Sequence, residues 1–314
     1  MNPTSKSALF LSEEAHLLQS IAKAFKEYDR IHTLSSSQLF ETSLAPPHVD
    51  LIFYHHDGEL NLHNLDHVHE RYPNSEIFIV HNSQFHHQLD IFSSRPWLKN
   101  YLSCLPSFDL QKFIRIFKLK LEQHHFGLEA FFPGEHETLS LDIYDSRKKD
   151  HYTETCLTFL EPHLNSLSKA RLGNVLEELI MNMIWDAPRH QNGEPLFNKI
   201  SRKENVVLEE HQKGRLNVTV NEKHIGISAE DPFGAISLNV ILNHLNRCFF
   251  SRQEKGSDSA GAGLGLYMIY KCSESFNVNV LPGHKTEFVI ILPLRNPSKD
   301  NQRQKSFHFN EVKP

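Results

Sequence analysis

An α/β protein of two domains is predicted, beginning with a doubly wound, five-stranded parallel sheet. Three observations predict it. The 314 residues give room for two domains of ordinary size. Residues 1–125 alternate short apolar runs with amphipathic stretches, the rhythm of buried strands and crossover helices. Beyond them that rhythm gives way to a long amphipathic helix, adjacent strands and a glycine-rich turn.

Ala8-Leu9-Phe10-Leu11 reads as a short strand. From Glu13 to Tyr28, Leu17, Leu18, Ile21, Ala22 and Phe25 recur at helical spacing. Val49 to Tyr54 is an apolar stretch of the kind buried on both faces of a sheet. Leu60 to Arg71 is helical in type, and Glu76 to Val80 is another buried strand. A loop and a short helix lead to a last strand at Tyr101 and Leu102. Leu110 to Glu122 closes the domain as a helix, with Phe113, Ile114, Phe117 and Leu121 on one side.

This segment resembles the receiver domain of two-component response regulators. "DLIFYHH" is similar to the third receiver strand, which in that family ends in the phosphorylated aspartate; His55 takes the position here. "NYLSCLP" is similar to the fifth strand, with Leu105 where a lysine precedes the proline, Pro106. Glu13 and Glu14 match the acidic pair after the first strand, and Ser83 the switch hydroxyl. Aspartyl phosphorylation needs a carboxylate nucleophile, metal-binding acids and a charge-neutralising lysine. The nucleophile and the lysine are replaced, and Asp57 stands two residues past the expected place. The resemblance therefore implies a pseudo-receiver, a binding or dimerising module without phosphotransfer.

Residues 126–295 are expected to form the second domain and 296–314 a flexible polar tail. Gly127 to Lys149 connects the two domains and includes a strand at Thr138 to Tyr144. A helix from Tyr152 to about Asn165 breaks or kinks near Pro162. Ser168 opens the next helix, whose apolar side runs through Leu172, Val175, Leu179 and Met183 until Pro188 stops it. On it, Glu178 and Asn182 are one turn apart on one otherwise apolar face, where polar groups are costly without partners. Leu216 to Val220 and Ile225 to Ser228 read as adjacent strands, the second leading to Asp231-Pro232-Phe233-Gly234. Gly261, Gly263 and Gly265 follow a polar loop and open a helix, where close backbone approach and N–H groups suit phosphate. A dinucleotide fold would place such glycines directly after a first strand instead. Val278 to Leu281 and Glu287 to Leu294 form the closing strand pair.

In that order these pieces resemble the GHKL ATPases, whose Bergerat fold is an α/β two-layer sandwich. "EELIMNMIWDAP" is similar to the N box, "DPFG" to a shortened G1 box, "GAGLGL" to the G2 box and "HKTEFVIILPL" to the last strand. The resemblance implies ATP and Mg²⁺ as cofactors. Glu178 would position or deprotonate the attacking group, and Asn182 would ligate Mg²⁺. Asp231 would accept from the adenine amino group, supported through water by Thr286, with Gly234 in the same pocket. Gly261, Gly263, Leu264, Gly265 and Leu266 would line the nucleotide. Phe249, Phe250 and residues 251–260 would form a lid, with Lys255 on a phosphate. Phe233 replaces a G1 glycine, and Trp185 stands where many histidine kinases carry a basic residue.

Composition sets the outer limits. Formal charge is −5, so no large basic field draws nucleic acid or anionic lipid. No apolar run approaches the length of a membrane span. Four dispersed cysteines and a start without a signal-peptide core make the cytoplasm the expected location. Among 22 histidines, His63 and His67 share a helix spacing, without an acid or cysteine to complete a metal set. His69-Glu70-Arg71-Tyr72-Pro73 is superficially similar to a histidine-kinase H box but falls within the α/β pattern. The expected function is a bacterial signalling protein that binds ATP–Mg and regulates or phosphorylates a partner protein, with a homodimer as one assembly. The alternatives are a non-enzymatic nucleotide sensor and a histidine kinase catalytic domain acting in trans.

Overall fold

The computed structural model describes residues 6–26, 30–39, 45–104, 110–121, 126–132, 136–197, 200–250, 264–294 and 305–312. The chain is α/β and divides into two compact units, Met1–His125 with Gln302–Phe307, and Phe126–Asn301 with His308–Pro314.

The first unit runs β1 (Ala8–Leu11), α1 (Ala15–Ala24), β2 (Ile31–Leu34), α2 (Ser36–Leu39), β3 (Leu51–His56), α3 (Leu62–Arg71), β4 (Glu76–His81), α4 (Leu89–Ser94), β5 (Asn100–Ser103) and α5 (Leu110–Leu121). The strands pair in parallel in the order β2-β1-β3-β4-β5. Successive residues of a strand point to opposite faces. Ala8, Phe10, Leu51, Phe53, Phe78 and Leu102 therefore meet α1 and α5 through Leu17, Ile21, Phe113 and Phe117. Phe10 stacks on Phe53 at 4.8 Å and Phe53 on Phe78 at 4.5 Å, while Phe113 meets Phe10 and Phe53 edge-on. β1 is buried along its whole length and β3 along all but its last residue, which is why both read as apolar runs. β2, at the edge, is half exposed and left a weaker pattern.

The second unit runs β6 (Glu137–Ile143), α6 (Lys149–Leu160), α7 (Ser166–Met181), β7 (Gly214–Val220), β8 (His224–Asp231), α8 (Leu238–Phe250), α9 (Leu264–Cys272), β9 (Ser275–Leu281) and β10 (Lys285–Pro293); the last strand, β11 (Ser306–Glu311), belongs to the first unit through Phe307 and to the second from His308. Antiparallel pairing gives the order β9-β10-β8-β7-β6. Helix α7 packs between α6 and α9, and α8 packs on α9. Near Pro162 the chain leaves α6 by a single 3₁₀ turn, Glu161–His163, and Asn165 caps α7 by accepting from the Ser168 N–H at 2.9 Å. Alternation along β10 sends Thr286 and Phe288 to one face, and Val289 and Ile291 to the other, where they pack with Leu128 and Phe132. Gly226 makes room there: a Cβ on it would overlap the Phe132 ring.

The described residues 305–312 correct that part of the expected flexible tail, while 296–304 and 313–314 lie outside the described residues. Residues 306–311 form β11, and all but the last are buried. In the first unit the Lys305 carbonyl accepts from the Ser103 N–H at 2.8 Å, and Phe307 stacks on Phe85 at 4.4 Å. In the second, Asn310 Nδ2 donates to Asn279 Oδ1 at 2.6 Å, and the Val312 N–H to the Val280 carbonyl at 2.8 Å.

Candidate functional site

Helix α7 is regular through Met181 and then widens into one π-helical turn, Asn182–Asp186. The Ala187 N–H reaches back to the Asn182 carbonyl at 2.8 Å. A π turn of this kind realigns side chains that α spacing would separate. With its carboxamide nitrogen turned to the acids, Asn182 donates to Glu178 Oε1 at 3.2 Å and to Asp186 Oδ2 at 2.9 Å. One amide thus joins two carboxylates. Arg202 closes the row, its guanidinium donating to Asp186 Oδ2 at 2.8 Å.

Opposite this row, β8 ends at Asp231, whose register partner on β10 is Thr286. Both side chains are buried. Asp231 accepts from the Phe233 N–H at 2.9 Å, and the Thr286 hydroxyl and the Gly234 N–H are the other donors that favour its charged form. Burial pushes the Asp231 carboxyl up to about 6, against these three donors and the nearby Arg189 charge. Burial also raises Glu178, with Asp186 adding to the effect and Arg202 opposing it.

A cavity of about 660 Å³ connects the two groups and is lined by Glu178, Asn182, Asp231, Thr286, Leu266 and Arg202, with apolar walls from Met183, Ile236 and Phe288. That volume suits a small organic ligand. Gly265 closes the side formed by α9: a Cβ there would overlap the Glu178 carboxylate. Gly234 has φ +58°, and a Cβ on it would overlap the Leu281 carbonyl, so the bend after Asp231 requires glycine. Leu264 opens α9, while Gly261, Gly263 and Lys255 lie outside the described residues, as does the 251–260 segment. Phe249 and Phe250 belong to α8 and not to a loop, and the Phe249 ring meets Tyr267 edge-on at 4.7 Å.

Sequence reasoning missed Asp186, Arg189, Arg202 and His244, all on the cavity wall. Asp186 follows Asn182 by four residues, a spacing visible in the sequence once the helix is known to continue. Arg189 and Arg202 sit in irregular chain, where spacing carries no signal. The Arg189 guanidinium donates to the carbonyls of Asp186, Ala187 and Pro188, satisfying acceptors left open at the helix end.

In the first unit, His55 is the penultimate residue of β3, with Nδ1 2.9 Å from the Ser12 hydroxyl, and Asp57 is exposed just beyond the strand. Ser83 is tied to Tyr101, His81 and Gln88. Leu105 and Pro106 lie outside the described residues. His63 and His67 stand with ring centroids 4.2 Å apart, and no third ligand completes a metal set with them among the described residues. His69, of the H-box-like stretch, is in α3 and stacks on Trp97 at 4.1 Å. Among the described residues no helix is long and apolar enough to cross a membrane.

No model of a known protein family matches the chain, and no curated protein matches it.

Proposed function

We propose that the second unit is a GHKL-type domain that binds an adenine nucleotide with Mg²⁺, and that the chain regulates or phosphorylates a partner protein through that state. One observation carries this reading. A single cavity joins a buried, donor-supported carboxylate, Asp231, to a Glu178–Asn182–Asp186 row with Gly265 against it. A buried acceptor reads an exocyclic amino group well, because a ligand lacking that group leaves the acceptor unpaired.

The donor set fits magnesium. Asn182 sits between two carboxylates, and turning its amide over presents the carboxamide oxygen, in place of the nitrogen, to the same point; Mg²⁺ takes oxygen ligands while keeping several waters. Asn182 and Asp186 are the residues that would hold it. When bound, the ion supplies charge neutralisation to the phosphates. Glu178, raised by burial, is suited to take a proton from an attacking hydroxyl. Arg202 provides the cation that Trp185 does not, at the same wall as Asp186. The first unit's order β2-β1-β3-β4-β5 supports reading it as a receiver-like module, with His55 in the phosphosite position.

Calorimetric titration with ATP, ADP and GTP, with and without Mg²⁺, tests the reading. ATP and ADP should bind more tightly than GTP, and Asp231→Ala should remove the adenine preference. Equal affinity for GTP, or no nucleotide binding at all, would overturn it. Incubation with labelled ATP then separates a kinase from a sensor: transfer to a partner should vanish in Glu178→Ala, and phosphohistidine on the chain itself would mark a histidine kinase.

A further inference from the structure

The second unit holds another cavity, of about 380 Å³, whose wall includes Gly127, Glu129, Asn217, Glu230, Lys285 and Glu287. That volume is within the range of small-molecule sites. The cavity lies on the other face of the sheet from Asp231. Successive strand residues point to opposite faces, so β10 sends Thr286 to the first cavity and Lys285 and Glu287 to the second. On β8 the same alternation separates Asp231 from Glu230.

Strand pairing sets two acids side by side here: Glu287 on β10 is the register partner of Glu230 on β8. Like charges directly opposite each other destabilise a sheet unless cations offset them. Glu230 has its cation, because the Lys285 ammonium pairs with it while resting 4.8 Å from the centroid of the Phe126 ring. Arg215, also on the wall, is exposed and pairs with Asp142 at 3.4 Å. Glu287 is 1% exposed, and its hydrogen-bond partners among the described residues are all neutral. The Gly127 N–H is shared between its two oxygens at 3.1 and 3.0 Å, the Ser228 hydroxyl donates to one, and Asn279 Nδ2 to the other at 3.3 Å. Three donors thus serve about four acceptor sites. A buried carboxylate that lacks a cation is costly. Two further acceptors stand nearby. The Glu129 carboxylate lies against Gly127, where a Cβ would overlap it. Asn217 is half-buried, and its side chain makes no hydrogen bond among the described residues.

We propose that this cavity binds a small protonated aliphatic amine, with its ammonium group on Glu287. An ammonium carries three donors and no acceptor, which matches the remaining site on Glu287, the Glu230 carboxylate and the Asn217 carboxamide oxygen. Lys285 shows the chemistry the wall accepts: an ammonium held between a carboxylate and an aromatic face. A metal ion is served less well, since it would have to displace N–H and O–H donors already on the Glu287 oxygens, whereas an ammonium adds to them. The site lies across the sheet from Asp231 and needs no nucleotide in the other cavity.

The test is calorimetric titration of the full chain, without nucleotide, using putrescine, butanediol as its uncharged counterpart, and KCl. One equivalent of putrescine is expected, bound at least ~10-fold more tightly than butanediol. Glu287→Gln keeps the shape and removes the charge, and Glu230→Gln does the same at the half-buried neighbour. Each should weaken putrescine by ~10-fold or more, and Asn217→Ala by less. If Glu287→Gln fails to fold, Glu230→Gln and Asn217→Ala decide. Glu178→Gln, in the cavity across the sheet, should leave putrescine affinity as it is. Equal binding of butanediol, displacement of putrescine by an equal concentration of KCl, affinity unchanged in the Glu287 and Glu230 variants, or loss in Glu178→Gln would overturn the proposal.

Discussion

Asp231 concentrates the electrostatics of the candidate site in one carboxyl group. Burial raises it to about 6, from an ordinary value of 3.8. The folded state therefore holds its proton more tightly than the unfolded chain. That stabilisation is complete below the unfolded value and is lost as pH rises through about 6. At pH 8 the ionised group costs up to about 3 kcal/mol, so Asp231→Asn should raise the melting temperature at pH 8 and change it little at pH 4. Binding runs the opposite way, because the ionised form is the acceptor. Adenosine affinity should fall as pH drops through about 6 and lose that dependence in Asp231→Asn, as isothermal titration at several pH values would show. Gly265 offers a purely steric counterpart. Gly265→Ala pushes the Glu178 carboxylate off its seat, and nucleotide–Mg²⁺ affinity should fall by roughly tenfold or more, about 1.4 kcal/mol, while the fold survives.

Among elements, the segment 126–132 is more than a connector. Phe132 fills the slot that Gly226 leaves on β8 and packs with Val289 and Ile291 on β10. Phe132→Ala should destabilise the second unit by about 3–5 kcal/mol in denaturant unfolding. Gly226→Val should match or exceed that loss, since the added side chain meets a ring already in place. How far such elements could be read from the sequence depended on burial. β1 and β3 showed as apolar runs because both their faces are covered, whereas β2 lies at an edge and showed little. Glu178 and Asn182 were legible from their helix spacing, and Asp231 and Thr286 only through the resemblance of the motifs that carry them. Arg189 and Arg202 were not, since irregular chain brings them to the cavity and no local period marks them. The strand at 306–311 was hidden for another reason: the polar run before it dominated the composition, although Phe307 and Phe309 alternate with polar residues as a strand should.

At the level of the whole molecule, residues near the C-terminus serve both units. Lys305 and Phe307 complete the first, and Asn310 and Val312 the second. Deleting residues 305–314 should lower the stability of each unit, seen as earlier exchange of amides in β5 and in β9 by hydrogen-exchange mass spectrometry. Unchanged protection in either strand would show that its own packing suffices.

The Lys305 contact with Ser103 also sets an order of events during synthesis. The residues that make up most of the first unit leave the ribosome about 200 positions before Lys305 does. At about 5–20 residues per second, that unit waits roughly 10–40 s with the Ser103 N–H lacking its final acceptor. A nascent chain halted at residue 300 would therefore carry an N-terminal sheet whose outermost strand still lacks its cover.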